Sequence, residues 1–153
     1  MFKFCLLVFI GLVPSLVLAE VNFGECPNGA PMPMLLMIND CIADECNLMA
    51  GEPLTVTASG IVSPIDSATA TAHISAYLDG LNLGFVIPPH LENACVRGIY
   101  EGCPLTEGTP FSYSLVSDSL EAPARGVAVE IEVGLAGDGG VPLACVRFNA
   151  VIN

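Results

Sequence analysis

Positive charge is scarce in this chain: lysine and arginine together number 4 against 16 acidic residues, and the formal net charge is −12. The single lysine, Lys3, lies in the first apolar segment, so arginines are the only cations of the remaining chain. Proteins that bind nucleic acids or anionic lipid headgroups neutralise phosphates with lysine and arginine. The composition therefore argues against a nucleic-acid partner and is typical of a soluble extracellular protein.

Residues suited to catalysis are also few. The two histidines, His73 and His90, belong to no recognisable nucleophile, metal or phosphate motif. The glycines between 134 and 140 lack the G-x-G-x-x-G spacing of a dinucleotide site. Because no reaction mechanism can be assembled from these residues, we predict that the protein is not an enzyme and needs no cofactor or metal.

Only one apolar run is long. Residues 1–19 combine Lys3 near the start, a continuous apolar stretch and the small residue Ala19 before Glu20. This pattern is typical of a secretory signal peptide, and it is too short and wrongly flanked for a membrane anchor. We predict cleavage after Ala19, a single domain over residues 20–153, and a secreted, extracellular product.

Cysteines remain even in number once Cys5 is assigned to the signal. An even count in an exported chain indicates disulfides rather than a metal site, although sequence alone leaves the pairing open. Proximity in the chain favours Cys41–Cys46 and Cys95–Cys103, which leaves Cys26 to close the domain with Cys145. In the chain-entropy model the long bridge contributes most, about 4.7 kcal/mol.

The clearest strand signal runs from Thr69 to Leu78, where apolar and polar residues alternate. Asp79-Gly80, a pair favoured in two-residue hairpin turns, follows it directly. A returning strand is expected before Pro88-Pro89. The predicted inward faces are Ala70, Ala72, Ile74, Ala76 and Leu78 on the first strand, and Leu81, Leu83, Phe85 and Ile87 on the second.

Similar patterns predict strands at residues 21–26, 34–38, 54–59, 111–116, 126–135 and 143–152, with a hairpin turn at 137–140. No segment has a helical period with caps. About seven or eight short strands imply an all-β antiparallel sandwich of two sheets. The alanines of the best strand are small for two sheets ~10 Å apart, so the sheets either lie close together or leave space between them.

Several motifs resemble one known family in their order along the whole predicted mature chain. They are Val-Asn-Phe-Gly-Glu-Cys at 21–26, Cys41-x4-Cys46-Asn-Leu-x-x-Gly, Asp79-Gly80-Leu, Phe85-Val-Ile-Pro, Asn93-Ala-Cys95, Gly102-Cys103-Pro-Leu-x-x-Gly108, Phe111-Ser-Tyr113, Gly137-Asp-Gly139 and Leu143-Ala-Cys145. The order is similar to that of the ML (MD-2-related lipid-recognition) domain family, specifically its Niemann-Pick type C2-like branch with the arthropod members and group 2 mite allergens.

The resemblance implies an immunoglobulin-like sandwich that holds a lipid, a fatty acid or a sterol, between its sheets without catalysis. It implies the same three disulfides that proximity favours. By position, Phe85 matches the aromatic residue at the pocket mouth, and Pro123 matches the proline beside it. Ala122 replaces the tyrosine of the mammalian sterol carriers, which implies a more open mouth. Lysosomal members depend on N-glycans, and no N-x-Ser/Thr sequon occurs here, so extracellular fluid is the better expectation.

We therefore predict a lipid carrier, expected to be a monomer, with a membrane receptor or acceptor for lipid transfer as a candidate partner. The loop from Cys95 to Tyr113 is expected at the rim of its pocket. The alternative is an extracellular recognition module that acts through its surface, with a normally packed core. The predicted lipid contacts are Val56, Ala58, Ala72, Ile74, Ala76, Leu78, Leu83, Phe85, Ile87, Tyr100, Phe111, Tyr113, Pro123, Val129, Ile131, Val133, Val146 and Phe148.

Overall fold

A computed structural model describes residues 21–39, 41–42, 44–122 and 125–153. The predicted signal peptide and Pro123 lie outside the described residues. The elements, in chain order, are β1 (Leu35–Ile38), β2 (Glu45–Leu48), β3 (Leu54–Val62), β4 (Thr71–Leu78), β5 (Leu81–Asn82), α1 (Pro89–Glu92), β6 (Pro110–Ser117), β7 (Val127–Ala136), a 3-10 turn (Asp138–Gly140) and β8 (Pro142–Ile152).

The strands form two sheets, one of three strands in the order β1-β3-β6 and one of five in the order β2-β8-β7-β4-β5. Buried apolar side chains from both sheets make one continuous core. The fold is thus the predicted immunoglobulin-like β-sandwich. Among the described residues, no helix is long and apolar enough to span a membrane.

The alternation that predicted β4 and β7 is confirmed by the register of their pairing. Ile74 lies opposite Val133 and Ala76 opposite Ile131, so the two strands direct their apolar residues to the same side. Ala70, Ala72 and Ala76 are all buried. These small residues line the inner face of the five-stranded sheet.

The predicted returning strand after Asp79-Gly80 is largely wrong. Strand β5 contains only two residues, and Leu81, predicted to face inward, is 73% exposed. The side chain of Asn82 accepts a hydrogen bond from the N–H of Gly84, whose φ of 71° bends the chain away from β4. Residues 83–88 therefore continue as a loop that covers one end of the sandwich.

Three other predictions of secondary structure differ from the fold. The segment 21–26 is not a strand, since only Gly24 forms an isolated bridge, to Arg147. Strand β2 follows the Cys41–Cys46 loop without a clear sequence signal and pairs parallel to β8, so the larger sheet is not wholly antiparallel. Helix α1 is a single turn that begins at Pro89, too short to show a helical period.

Three disulfides join Cys26 to Cys145, Cys41 to Cys46 and Cys95 to Cys103, with sequence separations of 119, 5 and 8 residues. This is the pairing that the resemblance implies. The long bridge ties the N-terminal segment to β8, whereas each short bridge closes one local loop.

Polar contacts close the end of the sandwich that holds the β7–β8 turn. The Asp138 carboxylate accepts the backbone N–H groups of Ala68, at 2.8 Å, and Thr69, at 3.2 Å. Bonds from the Thr69 hydroxyl and the Ala68 N–H hold the pKa of the Asp138 carboxyl below its usual value. Ser67 accepts the Asp138 N–H at 2.8 Å and is itself buried. A pocket between the sheets would therefore open at the other end.

Candidate functional site

An enclosed apolar cavity lies between the sheets at the end that contains the starts of β3 and β7 and the end of β8. We call it the inner cavity. Its free volume is about 20 Å³, enough for a single water molecule. Both sheets and two loops contribute to its wall, which consists of Leu54, Val56, Ile74, Ala76, Leu83, Phe85, Leu120, Glu121, Val129, Ile131, Val133, Phe148 and Ile152.

A second cavity, the mouth cavity, adjoins the first. The two share Leu54, Ile74, Phe85, Leu120 and Glu121, and the mouth cavity also has about 20 Å³ of free volume. The remaining residues of its wall come from the loop after β5, from α1 and from the end of β6. They are Val86, Ile87, Pro88, Leu91, Leu115, Ser117 and Ser119.

These volumes differ from the open lipid cavity that the sequence predicts. Ligand pockets for drug-sized molecules have volumes of roughly 300–1,000 Å³, so neither cavity holds a lipid in this conformation. Ala76 of β4 lies in the wall of the inner cavity together with the larger side chains of Phe85 and Leu120, and little free space remains beside it. The site is therefore a closed apolar space between the sheets, and it must widen to admit a ligand.

The structure brings ten of the predicted lipid contacts together around these cavities. Nine line the inner cavity: Val56, Ile74, Ala76, Leu83, Phe85, Val129, Ile131, Val133 and Phe148. Ile87 lines the mouth cavity. Their contact with a lipid remains a prediction.

The other predicted contacts lie elsewhere. Five are buried in the surrounding core and line neither cavity: Ala58, Ala72, Phe111, Tyr113 and Val146. Leu78 is only half-buried. Tyr100 is 70% exposed and lies in an outer surface groove.

Sequence reasoning missed four residues of the inner cavity. Leu54 and Ile152 continue the inward alternation of β3 and β8, so that signal could have found them. Leu120 and Glu121 come from the loop after β6, where no period exists to predict which side chain turns inward. The loop residues Val86, Pro88 and Ser119 of the mouth cavity are missed for the same reason.

The two loops over the cavities are held differently. Leu120 is fixed on both sides, because its N–H donates to Glu52 O at 2.8 Å and its carbonyl accepts from Gly51 N–H at 2.9 Å. Past Leu83, whose N–H bonds Ala76 O at 2.8 Å, the segment 85–88 pairs with no described strand. The loop that carries Phe85 is therefore the part of the cavity wall that is most easily displaced.

The loop closed by Cys95–Cys103 contributes Ile99 to the hydrophobic core but no residue to the wall of either cavity. Arg97, Gly98, Ile99 and Tyr100 line the outer groove instead, together with part of α1 and β6. The groove adjoins the mouth cavity, because both include Leu91 and Leu115. Tyr113, below this loop, is 2% exposed. Its hydroxyl has no hydrogen-bond partner among the described residues, and burial raises its pKa above the usual value, so the phenol stays uncharged.

We predict that Gly98→Ala destabilises the protein strongly. A Cβ atom there would lie 2.6 Å from the Tyr113 ring and 2.7 Å from the carbonyl oxygen of Ser114, and φ is 130°. Backbone strain and overpacking together give a loss of about 2–5 kcal/mol in the free energy of unfolding, measured in urea. The control Gly102→Ala, with φ of 79° and open space around it, should lose only about 1–2 kcal/mol. Equal losses would contradict the packing of this loop on Tyr113.

Comparison with known proteins gives consistent results. A family model described as the ML domain matches residues 20–152. The mite group 2 allergen Gly d 2.02 of Glycyphagus domesticus is 30% identical over 129 residues, covering 84% of this chain and 95% of the allergen.

Two solved structures have the same fold. A Niemann-Pick type C2 protein from Japanese carpenter ant superposes with a TM-score of 0.71 at 17% identity, covering 86% of this chain and 99% of the ant protein. Chicken MD-1, solved in complex with lipid IVa, gives a TM-score of 0.52 at 15% identity, covering 83% of this chain and 85% of MD-1.

Proposed function

The chain belongs to the ML domain family, and we propose on this basis that it is a secreted carrier that binds a hydrophobic ligand, a fatty acid or a sterol, between its two sheets. The observation that carries the proposal is the wall of the inner cavity, in which every residue but Glu121 is apolar and both sheets take part. A cavity of this composition favours hydrocarbon. MD-1, which has the same fold, was solved with lipid IVa bound.

Ligand entry requires the closed cavity to widen. We propose that the Phe85 loop moves outward while the better-anchored Leu120 stays in place. Apolar contact with the ligand contributes about 25 cal/mol per Å² of buried surface, which opposes the cost of opening and of association. An opening cost lowers the apparent affinity, so we expect dissociation constants near the micromolar range.

The small free volume favours a second candidate function. A sandwich with a normally packed core can act as an extracellular recognition module through its surface alone. The two functions differ in whether any lipid enters the protein.

Lipid extraction tests the proposed function. The protein is purified without detergent, extracted with organic solvent and examined by mass spectrometry, and then titrated with an uncharged fluorescent probe in competition with fatty acids and sterols. We expect a bound lipid, or saturable displacement of the probe at micromolar competitor. Absence of both would contradict the carrier and leave the recognition module.

A further inference from the structure

We call the solvent-exposed side of the mouth cavity, where Glu121 lies, the entrance, and its charge is negative. Glu121 lines both the inner cavity and the mouth cavity, and it is the only charged residue in either wall among the described residues. Its own side chain is exposed to solvent. Any polar group of a ligand that remains at the entrance while its hydrocarbon lies between the sheets therefore meets a carboxylate.

No arginine among the described residues lines either cavity. Arg147 pairs with Glu130 and Glu132 at 2.8 Å and lies over the Tyr77 ring, on the outer face of the larger sheet. Arg97 lines the outer groove, which adjoins the mouth cavity but is separate from it. Arg125 is exposed and precedes β7 at the cavity end of the sandwich, but it lines neither cavity. The chain beyond residue 3 contains no lysine.

A ligand carboxylate is consequently disfavoured at either possible position. Buried in the inner cavity, the carboxylate would lose its hydration, because no side chain of that wall supplies a cation or a hydrogen-bond donor to replace the water. Held at the entrance, it would face Glu121 in a protein whose net charge is −12. An uncharged hydroxyl costs less to bury than a carboxylate, and at the entrance it meets no charge repulsion. It can donate a hydrogen bond to the Glu121 carboxylate there, whereas an ester has no proton to donate.

We propose that this site selects uncharged, hydroxyl-bearing lipids over fatty-acid anions, and that Glu121 determines this selectivity by accepting the ligand hydroxyl. The inference rests on the proposed binding of a lipid between the sheets and narrows its ligand class. Ser117 and Ser119 also lie in the wall of the mouth cavity, and the Ser117 hydroxyl donates to the carbonyl oxygen of Ser119 at 2.9 Å.

Three ligands of equal chain length test the selectivity: dodecan-1-ol, methyl dodecanoate and dodecanoate, each in competition with an uncharged fluorescent probe at neutral pH and low salt. We expect the alcohol to bind more tightly than the ester and at least about tenfold more tightly than the anion. Added salt should narrow the gap between alcohol and anion, because it screens the charge at the entrance.

Two substitutions at Glu121 separate charge from hydrogen bonding. Glu121→Gln removes the charge but keeps an acceptor, so dodecanoate should bind about three- to tenfold more tightly while dodecan-1-ol changes little. Glu121→Leu removes both, and dodecan-1-ol should then bind no better than the ester. Glu107→Gln is the matched control, since Glu107 is exposed, lies outside both cavity walls and changes the net charge equally.

Dodecanoate binding to the unsubstituted protein as tightly as dodecan-1-ol would overturn the selectivity. If Glu107→Gln and Glu121→Gln raise the affinity for dodecanoate equally, the role of Glu121 is overturned, because the change in net charge alone would explain the tighter binding. If none of the three compounds displaces the probe, the proposed lipid binding fails instead.

Discussion

Replacing both Cys26 and Cys145 by serine should lower the free energy of unfolding by about 5 kcal/mol, the largest loss expected for any of the three disulfides. The bridge spans 119 residues, so its removal frees almost the whole described chain in the unfolded state. Both cysteines are buried, and the bond ties the N-terminal segment to β8, an inner strand of the larger sheet. Small domains have a stability of about 5–15 kcal/mol, so this variant should be close to unfolding.

The matched control is the Cys41→Ser, Cys46→Ser double variant. That bridge closes a loop with a separation of only 5 residues, and the same chain-entropy model gives a loss of about 2 kcal/mol. Equilibrium unfolding in urea measures the loss in the free energy of unfolding for each of the two double variants. Similar losses for the two variants would mean that local strain, and not the length of the closed chain, sets what each disulfide contributes.

Replacing Ala76 by phenylalanine should weaken ligand binding at least about thirtyfold, equivalent to about 2 kcal/mol. Ala76 is 4% exposed and lies in the wall of the inner cavity, next to the loop that carries Phe85. A phenyl ring at this position occupies the space that hydrocarbon needs between the sheets. Overpacking should also cost about 1–3 kcal/mol of stability, so binding is to be measured on protein shown to be folded.

Ala144→Phe provides the control for overpacking. Ala144 is buried in β8 of the same sheet but lines neither cavity, since it pairs with Leu135 towards the opposite end. The Ala144→Phe variant should lose about as much stability as Ala76→Phe and keep its affinity for dodecan-1-ol within about threefold. If Ala144→Phe abolishes binding and Ala76→Phe does not, the ligand lies at the other end of the sandwich.

Regular strands made most of the fold predictable. In β4 and β7 the side chains alternate over eight and ten residues, and one inward face follows directly from that period. Strand β2 has only four residues and receives its hydrogen bonds from β8, far away in the sequence. The sequence pattern predicts that Leu81 faces inward, but the bend at Gly84 ends the strand pairing that would have buried its side chain.

Most of the site that was predicted lies on strands, although Leu83, Phe85 and Ile87 also line the cavities from a segment that was predicted as a strand and is a loop. Ile74, Ala76, Ile131 and Val133 follow from alternation, because an inward position on a strand can be counted from the pattern. Glu121 reaches the entrance through the path of a loop, and loop paths depend on tertiary contacts such as the bond between Leu120 and Glu52. The separation of the sheets also depends on how all inward side chains pack together, which explains why the alternation alone left open whether the sheets lie close together or leave space between them.

Closure of the cavity has a consequence for stability. A ligand that binds only the widened form stabilises the folded protein by RT ln(1 + L/Kd), where L is the free ligand concentration and Kd the apparent dissociation constant. The displaced loop is the weakly paired segment 85–88, so ligand-dependent changes in amide exchange should concentrate there and not in β7 or β8.

Intermolecular nuclear Overhauser effects between dodecan-1-ol and methyl-labelled protein test most directly whether the ligand lies between the sheets. Binding in the widened inner cavity predicts contacts from the alkyl chain to the methyl groups of Val56, Ile74 and Ile131, which belong to both sheets. Contacts confined to the exposed methyl groups of Val96 and Val116, beside the outer groove, would place the ligand on the surface and contradict a carrier that holds lipid in its interior.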